Sequence, residues 1–292
     1  MPRSVLICDF DNTLYDWVGY FVPSFYEMVD VAAEILGCDR DTLLSDFRRV
    51  HQAHGDSEHP FSLLETETVL RAFPNKDRAY VAEALDEAFH AFNRARKKHL
   101  RLYDGVLATL KVLDGCGIRI IGHTEARPLA VRDRLNRLGL SEFFPRVYCR
   151  ERALVHQAVR KEERTEGPEL IELSHHQQKP SPTVLLEICE REGIAAESAV
   201  YVGDSLFKDI SMANAARVFA VWVKFGANVD PKFYANLVAI SHWSDDDVEH
   251  ARKFAHSERP AHPDFILESS FAEIQRVFED SIGVVQLASR TA

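Results

Sequence analysis

Cysteine is sparse and unpatterned. The chain of 292 residues holds five, Cys8, Cys38, Cys116, Cys149 and Cys189, an odd number with no CxxC pair. That excludes a disulfide frame and reads as reduced thiols in a cytoplasmic protein. Long hydrophobic runs are missing as well. The first ten residues hold one strand-length apolar run, too short for a signal-peptide core or a membrane span. No later run is long and uncharged enough to cross a bilayer. Basic residues are outnumbered, 35 Lys and Arg against 45 Asp and Glu, and the formal net charge of -10 argues against nucleic acid or an anionic membrane as the main partner. A phosphorylated substrate stays open, because one metal ion and one lysine reverse the local field. There is no low-complexity tract and no obvious internal repeat. The length accommodates a full core plus a second, smaller domain.

The stretch that organises the rest is Val5-Leu6-Ile7-Cys8-Asp9-Phe10-Asp11-Asn12-Thr13-Leu14. Its apolar run, 5–8, predicts a buried strand of a parallel sheet. The strand delivers two carboxylates, Asp9 and Asp11, and the hydroxyl of Thr13 to the loop at its carboxyl end, where open α/β sheets bind ligands. Two acids this close, with no Lys or Arg among them, repel each other. The pocket therefore calls for cations: Lys179 later in the chain, and a divalent metal with oxygen ligands. Two plainer readings compete. Asp-x-Asp could open a calcium loop, but no Gly, further acid or closing Glu follows at EF-hand spacing. It could also be ordinary turn chemistry after a strand.

From about 20 to 101 the pattern is helical. Apolar residues recur at helical spacing over 20–36, closed by Gly37, and again over 41–54, 62–73 and 76–100. Phe47, Phe61, Phe73, Phe89 and Phe92 read as core of this insertion. Strands and helices alternate afterwards: a helix over 104–113, a strand over 118–121 running into His123-Thr124-Glu125, a helix over 128–138 and a strand over 144–149. Residues 150–178 break the rhythm and read as an extended hairpin about Gly167-Pro168, with 170–173 as one arm. The His175-His176 pair reads as loop residues, since adjacent histidines rarely point the same way. A helix over 183–192, a strand over 199–202, Gly203-Asp204-Ser205-Leu206-Phe207-Lys208-Asp209, a helix to 215 and a strand over 218–223 follow. The remainder predicts peripheral helices over 231–240, 245–256 and 271–278, a short strand over 265–267, and a loose tail after 285.

This βαβ rhythm predicts an α/β fold, a doubly wound parallel sheet of Rossmann-like type with right-handed crossovers and an inserted small α-helical domain. Residues 1–14 and 103–292 form a discontinuous core domain, and 15–102 the insertion. Strand ends of a parallel sheet share one edge, so Asp9, Asp11, Thr13, Thr124, Asp204 and Asp209 can converge, with Lys179 at a helix start. A carboxylate nucleophile, a second acid, a hydroxyl, a lysine and metal-binding acids suit phosphoryl transfer. Singly, each has a plainer reading: Thr124 as a helix N-cap, Lys179 as a surface lysine, Asp209 as a first-turn acid.

With Asp9-x-Asp11-x-Thr13, Thr124 after a hydrophobic strand, Lys179-Pro180 and Gly203-Asp204-x-x-x-x-Asp209 in that order, the chain resembles the haloacid dehalogenase (HAD) superfamily in its phosphatase branch. The resemblance runs from 5 to about 223, and the insertion stands where members with a C1-type helical cap carry theirs. It implies that Asp9 attacks phosphorus and forms an aspartyl-phosphate. Asp11 then protonates the leaving alcohol and later takes a proton from water. Mg2+ would be held by Asp9, the backbone carbonyl of Asp11, and Asp204, with Asp209 in support. Thr124 and Lys179 would bind or neutralise phosphate, and Thr13 would hold the first loop. Many relatives carry Asn after the threonine, where this chain has Glu125. A carboxylate there needs a cation or an outward turn, and His123 and Arg127 are near in sequence.

The implied function is a Mg2+-dependent phosphomonoester hydrolase acting on a small soluble phosphorylated metabolite, its oligomeric state open between monomer and homodimer. The alternatives are a phosphomutase on the same core, a metal-free haloacid dehalogenase, which would not need Asp11, and a non-catalytic binding module.

Overall fold

The computed structural model describes residues 3–59, 61–152, 167–246, 249 and 261–283. The chain opens with β1 (Val5–Cys8), buried at all four positions as its apolar run predicts. Helices follow: α1 (Trp17–Leu36), α2 (Arg40–His54), a 3-10 turn (Ser62–Glu65), α3 (Glu67–Ala72), α4 (Arg78–Ala84) and α5 (Asp86–His99). Asp39 caps α2 by accepting from the Thr42 N–H, and Gly55 ends it in the left-handed region at φ +57°. Alternation then sets in with α6 (Val106–Gly115), β2 (Arg119–Thr124), α7 (Pro128–Leu138), β3 (Arg146–Arg150), β4 (Glu169–Leu173), α8 (Pro182–Arg191), β5 (Ala199–Gly203), one π turn (Leu206–Ile210), α9 (Ser211–Ala215), β6 (Phe219–Val223), α10 (Pro231–Ile240) and β7 (Phe265–Leu267).

Among the described residues the strands form one parallel sheet in the order β4-β3-β2-β1-β5-β6-β7. The architecture is α/β, as its rhythm predicts. Cys8 is level with Gly122 of β2 and Val202 of β5, so the three central strands finish within two residues of one another. Strand order reverses at β1, and the crevice beyond the carboxyl ends at such a reversal is where an open sheet takes its ligand.

The chain divides into two compact units, Met1–Asp16, Leu102–Asn228 and Phe254–Ala292 in one, Trp17–Arg101 and Val229–Lys253 in the other. The first is the sheet with its helices. In the second, α5 turns its small residues Ala88, Ala91 and Ala95 inward, and α1 packs closely along it. Phe25 of α1 meets Phe47 of α2 edge to face, with ring centroids 4.7 Å apart. The sequence division left 229–253 with the core, whereas its contacts place α10 against α1 and α2. Nothing local to that segment distinguishes the two placements.

Other expectations shift for local reasons. The predicted helix 62–73 is a 3-10 turn and α3, parted at Thr66, and 76–100 is α4 and α5, parted at Leu85. Phe47 is core, but Phe61 is exposed and left-handed at φ +61°. Among the described residues, 170–173 pair with β3 and not across Gly167-Pro168: β4 runs parallel to β3, Arg146 opposite Glu169 through Arg150 opposite Leu173. The stretch between those strands is long enough for the crossover that a parallel pair requires. The other arm of the expected hairpin, most of the helix 245–256 and the tail after 285 lie outside the described residues.

Candidate active site

Asp9 leaves the end of β1 with its N–H bonded to the Val202 carbonyl at 3.0 Å, which ties the loop to β5. Its carboxylate is buried, with one partner on each oxygen. Oδ2 accepts from the Thr13 hydroxyl at 3.0 Å, and Oδ1 meets Lys179 Nζ at 2.5 Å. The same ammonium lies 2.8 Å from Asp209 Oδ1. Lys179 stands just before α8, three residues ahead of Pro182. Asp209 sits on the π turn and is not a surface acid: it accepts from the Ser205 N–H at 2.9 Å and from the Tyr201 hydroxyl at 3.2 Å, and is 2% exposed. Gly203 makes this approach possible, because a Cβ there would stand 2.3 Å from Asp209 Cγ. Asp204, one residue past β5, is fixed through its backbone, its carbonyl accepting from Trp222 Nε1 at 2.8 Å.

Asp9, Asp204 and Asp209 each offer a carboxylate oxygen, all within 4.8 Å of one another. One ammonium cannot balance three such groups. Burial, Asp209 and Asp11 push the Asp9 carboxyl up to about 7 although Lys179 pulls the other way. Burial, then Asp209 and Asp9, hold Asp204 well above the usual carboxylate range. Burial alone would lower Lys179, but Asp209 and Asp9 outweigh it and hold the ammonium well above its ordinary value. The cluster retains two net negative charges when ionised, and its donors are all oxygen. A hard divalent cation fits both properties.

Asp11 stands apart from this group. Its Oδ1 accepts from the Tyr15 hydroxyl at 2.6 Å and from Arg134 Nη1 at 2.8 Å. Thr124, at the end of β2, is buried, and its Oγ1 accepts from the Ala126 N–H at 3.1 Å. It is not the N-cap of α7, which is Arg127. A small cleft beside it is lined by Thr124, Glu125, Arg150, Gln177 and Lys179. Glu125 does find a cation, but it is Lys208 of the π turn, whose Nζ meets Glu125 Oε2. His123 turns to the Tyr201 hydroxyl at 3.2 Å, and Arg127 Nη1 donates to the Glu151 carbonyl at 2.8 Å. His175 and His176 are exposed loop residues, His175 beside Glu151. In the helical unit His54 and His59 both bond Glu65, at 2.7 and 3.2 Å, a second group with donors near enough to share an ion.

Sequence reasoning brought Asp9, Asp11, Thr13, Thr124, Lys179, Asp204 and Asp209 to one edge. The structure groups Asp9, Thr13, Lys179, Asp204 and Asp209, while Asp11 bonds Tyr15 and Arg134 and Thr124 bonds the Ala126 N–H. Sequence reasoning missed Tyr15, Arg134, Tyr201 and Lys208. Tyr15, four residues after Asp11, had a local signal, and Lys208 lies inside the last motif. Arg134 and Tyr201 had none, since both reach the site only through tertiary packing.

The family model for haloacid dehalogenase-like hydrolases matches residues 4–217. A glyceraldehyde 3-phosphate phosphatase of Methanopyrus kandleri is 31% identical over 236 residues, which is 79% of this chain and 87% of the relative. A phosphoglycolate phosphatase of Nitrosococcus oceani is 28% identical over 227 residues, 78% of this chain and 86% of the relative. Among solved structures, a 2-haloacid dehalogenase of Pseudomonas syringae pv. Tomato superposes with a TM-score of 0.57 at 20% identity, over 96% of this chain and 99% of the other, a likeness of fold. The chain belongs to the haloacid dehalogenase-like hydrolases, and within them to the phosphatases.

Proposed function

We propose that the protein is a divalent-metal-dependent phosphomonoester hydrolase of a small phosphorylated metabolite, working through an aspartyl-phosphate, with Mg2+ as the ion. The observation that carries this reading is the cluster of Asp9, Asp204 and Asp209, of which buried Asp9 and Asp209 share the single ammonium of Lys179. Asp9, Asp204 and the backbone carbonyl of Asp11 would hold the ion, with Asp209 behind them. When bound, it offsets the charge of the carboxylates and of the incoming phosphate.

In the first step an Asp9 carboxylate oxygen attacks phosphorus. The bond from phosphorus to the leaving oxygen breaks, its electron pair stays on that oxygen, and Asp11 supplies the proton. In the second step water attacks phosphorus while Asp11 takes its proton, and the electrons of the phosphorus–Asp9 bond return to the carboxylate. Asp11 ends each cycle as it began. Lys179 orients Asp9 and, with the Thr124 hydroxyl and neighbouring N–H groups, receives the phosphate oxygens. Thr13 keeps Oδ2 of Asp9 engaged. Lys208 neutralises Glu125 beside the phosphate site, which removes the repulsion that a carboxylate there would exert. The helical unit is read as the cap of such enzymes. The relatives act on glyceraldehyde 3-phosphate and phosphoglycolate, which favours a short phosphorylated carbon skeleton as substrate here.

Hydrolysis of p-nitrophenyl phosphate by the purified protein, with Mg2+ and with EDTA and alongside Asp9→Asn, tests the reading. It stands on turnover that needs the metal and is lost in the variant. Turnover indifferent to EDTA, or retained by Asp9→Asn, overturns it. No turnover moves the assignment to the mutase or the binding module.

A further inference from the structure

Arg134 is an arginine in the wrong place for a surface helix. It lies on the inward side of α7 with Val131 and Leu135, and is only 2% exposed. Burying a guanidinium is costly unless a carboxylate meets it in good geometry. Its Nη1 lies 2.8 Å from Asp11 Oδ1 and 3.4 Å from the Tyr15 hydroxyl. Tyr15 is fully buried and donates to that same oxygen at 2.6 Å. Tyr15 is itself fixed by the chain: it forms backbone bridges with Asp11 and with Leu102, and the neighbouring Leu14 carbonyl accepts from Tyr103 N–H at 2.9 Å. Two elements distant in sequence, the first loop and α7, thus converge on one oxygen of one carboxyl.

We propose that Arg134 and Tyr15 are positioning residues that clamp Oδ1 of Asp11, so that Oδ2 is the oxygen through which Asp11 gives and takes its proton. The inference rests on the phosphatase reading and deepens it. A carboxyl that acts first as acid and then as base exchanges one hydrogen between its states. An oxygen whose two acceptor sites are both filled by donors in both states has none left to carry that hydrogen. With two donors committed to Oδ1, the proton is directed to Oδ2. The clamp also fixes the rotation of the carboxyl, and proton transfer to a leaving oxygen depends steeply on reach and alignment. Neither Arg134 nor Tyr15 touches the substrate in this assignment.

Leaving-group dependence tests it, because a leaving oxygen needs proton assistance more as it becomes more basic. The ratio of kcat/KM for p-nitrophenyl phosphate to that for phenyl phosphate is measured in the wild type, Tyr15→Phe, Arg134→Met and Arg134→Lys. This ratio does not depend on the fraction of enzyme that is folded. Wild-type turnover and its loss in Asp9→Asn establish the underlying reading first, so a failure of that reading is seen separately. Loss of one hydrogen bond to a charged group should raise the ratio about tenfold in Tyr15→Phe. Arg134→Met should raise it at least as much, and Arg134→Lys should recover part of the loss. An unchanged ratio overturns the proposal, whether the two substrates fall together, as for a purely structural role, or neither falls.

Discussion

At the scale of single residues, the site depends on groups that cannot be exchanged for near equivalents. Lys179 is the clearest case, since its ammonium lies between Asp9 and Asp209, all three buried. Lys179→Met leaves carboxylates with no counter-charge, and breaking a buried pair in this way costs about 3–5 kcal/mol. Urea unfolding in EDTA should register that loss, and Mg2+ should restore part of it. A second case is Gly226, which no motif marks. A Cβ there would stand 1.8 Å from the Asn12 carbonyl oxygen, in the loop between Asp11 and Thr13. Asn12 is already left-handed at φ +55°, so the loop has little room to yield. Gly226→Ala should therefore lower kcat by at least about tenfold through a displaced first loop. Gly115→Ala, in open space at the end of α6, should leave kcat unchanged and stability equal or better by about 0.5–1 kcal/mol. Equal activity in the two variants would sink the account of Gly226. The carboxylates and Lys179 were legible in sequence because their spacing and order are themselves the signal. Arg134 was not, because Arg127, Arg132 and Arg137 share its helical stretch and nothing local tells a buried arginine from an exposed one.

At the scale of elements, the sequence reveals type better than partner. Apolar runs marked β1, β5 and β6 as strands, and the Gly203-to-Asp209 stretch marked the turn that follows β5. The same periodicity could not say whether β4 pairs beside β3 in parallel or returns in a hairpin, since that depends on where the chain between them goes. Nor could it say that α10 belongs with α1 and α2. Tyr26 of α1 helps to join it, donating to the Asn236 carbonyl at 3.1 Å, and so does one buried histidine. His51, on α2, bonds the Ile240 carbonyl at the end of α10 through Nδ1 at 2.6 Å and meets the Ser62 hydroxyl through Nε2 at 3.3 Å. The carbonyl can only accept, so Nδ1 carries a proton, and burial keeps the ring neutral by disfavouring a second one on Nε2. Burial pushes His51 down to about 4, against which the Ile240 carbonyl and Asp56 have smaller effects. A histidine held neutral stabilises the fold above its unfolded value near 6.5, and that stability is lost as pH falls from there towards 4. The loss should reach about 2 kcal/mol between pH 7 and pH 5. Urea unfolding followed at the two pH values measures it, and His51→Asn should flatten the difference while lowering stability at pH 7. A difference unchanged in His51→Asn would assign the pH dependence elsewhere, with His59, also lowered by burial, the next candidate.

At the scale of the whole molecule, the two units carry opposite electrostatic problems. The helical unit holds a neutral imidazole that acid would charge. The sheet unit holds carboxylates that base would charge: Asp9, pushed up to about 7 chiefly by burial, and Asp204, held well above the carboxylate range chiefly by burial. Carboxyls raised in the folded state contribute stability that is complete below the unfolded value near 4 and is lost as pH rises through the folded values. Without metal, then, the sheet unit weakens from about pH 4 upward through pH 7, while the helical unit weakens in the other direction. A divalent cation held by these carboxylates, as proposed, would remove the first problem. It would take the place of the bound protons and compete with them, so its benefit would grow as the proton concentration falls. At a concentration about 100 times its Kd it adds about 2.7 kcal/mol to the folded state. Thermal unfolding at pH 6 and pH 8, each with EDTA and with Mg2+, should show a larger rise in Tm from Mg2+ at pH 8. Asp204→Asn should abolish that rise at both. A rise equal at the two pH values would mean that no raised carboxyl gives up a proton to the ion. A rise that survives Asp204→Asn would place the ion elsewhere, and the group of His54, His59 and Glu65 would then be the next place to look.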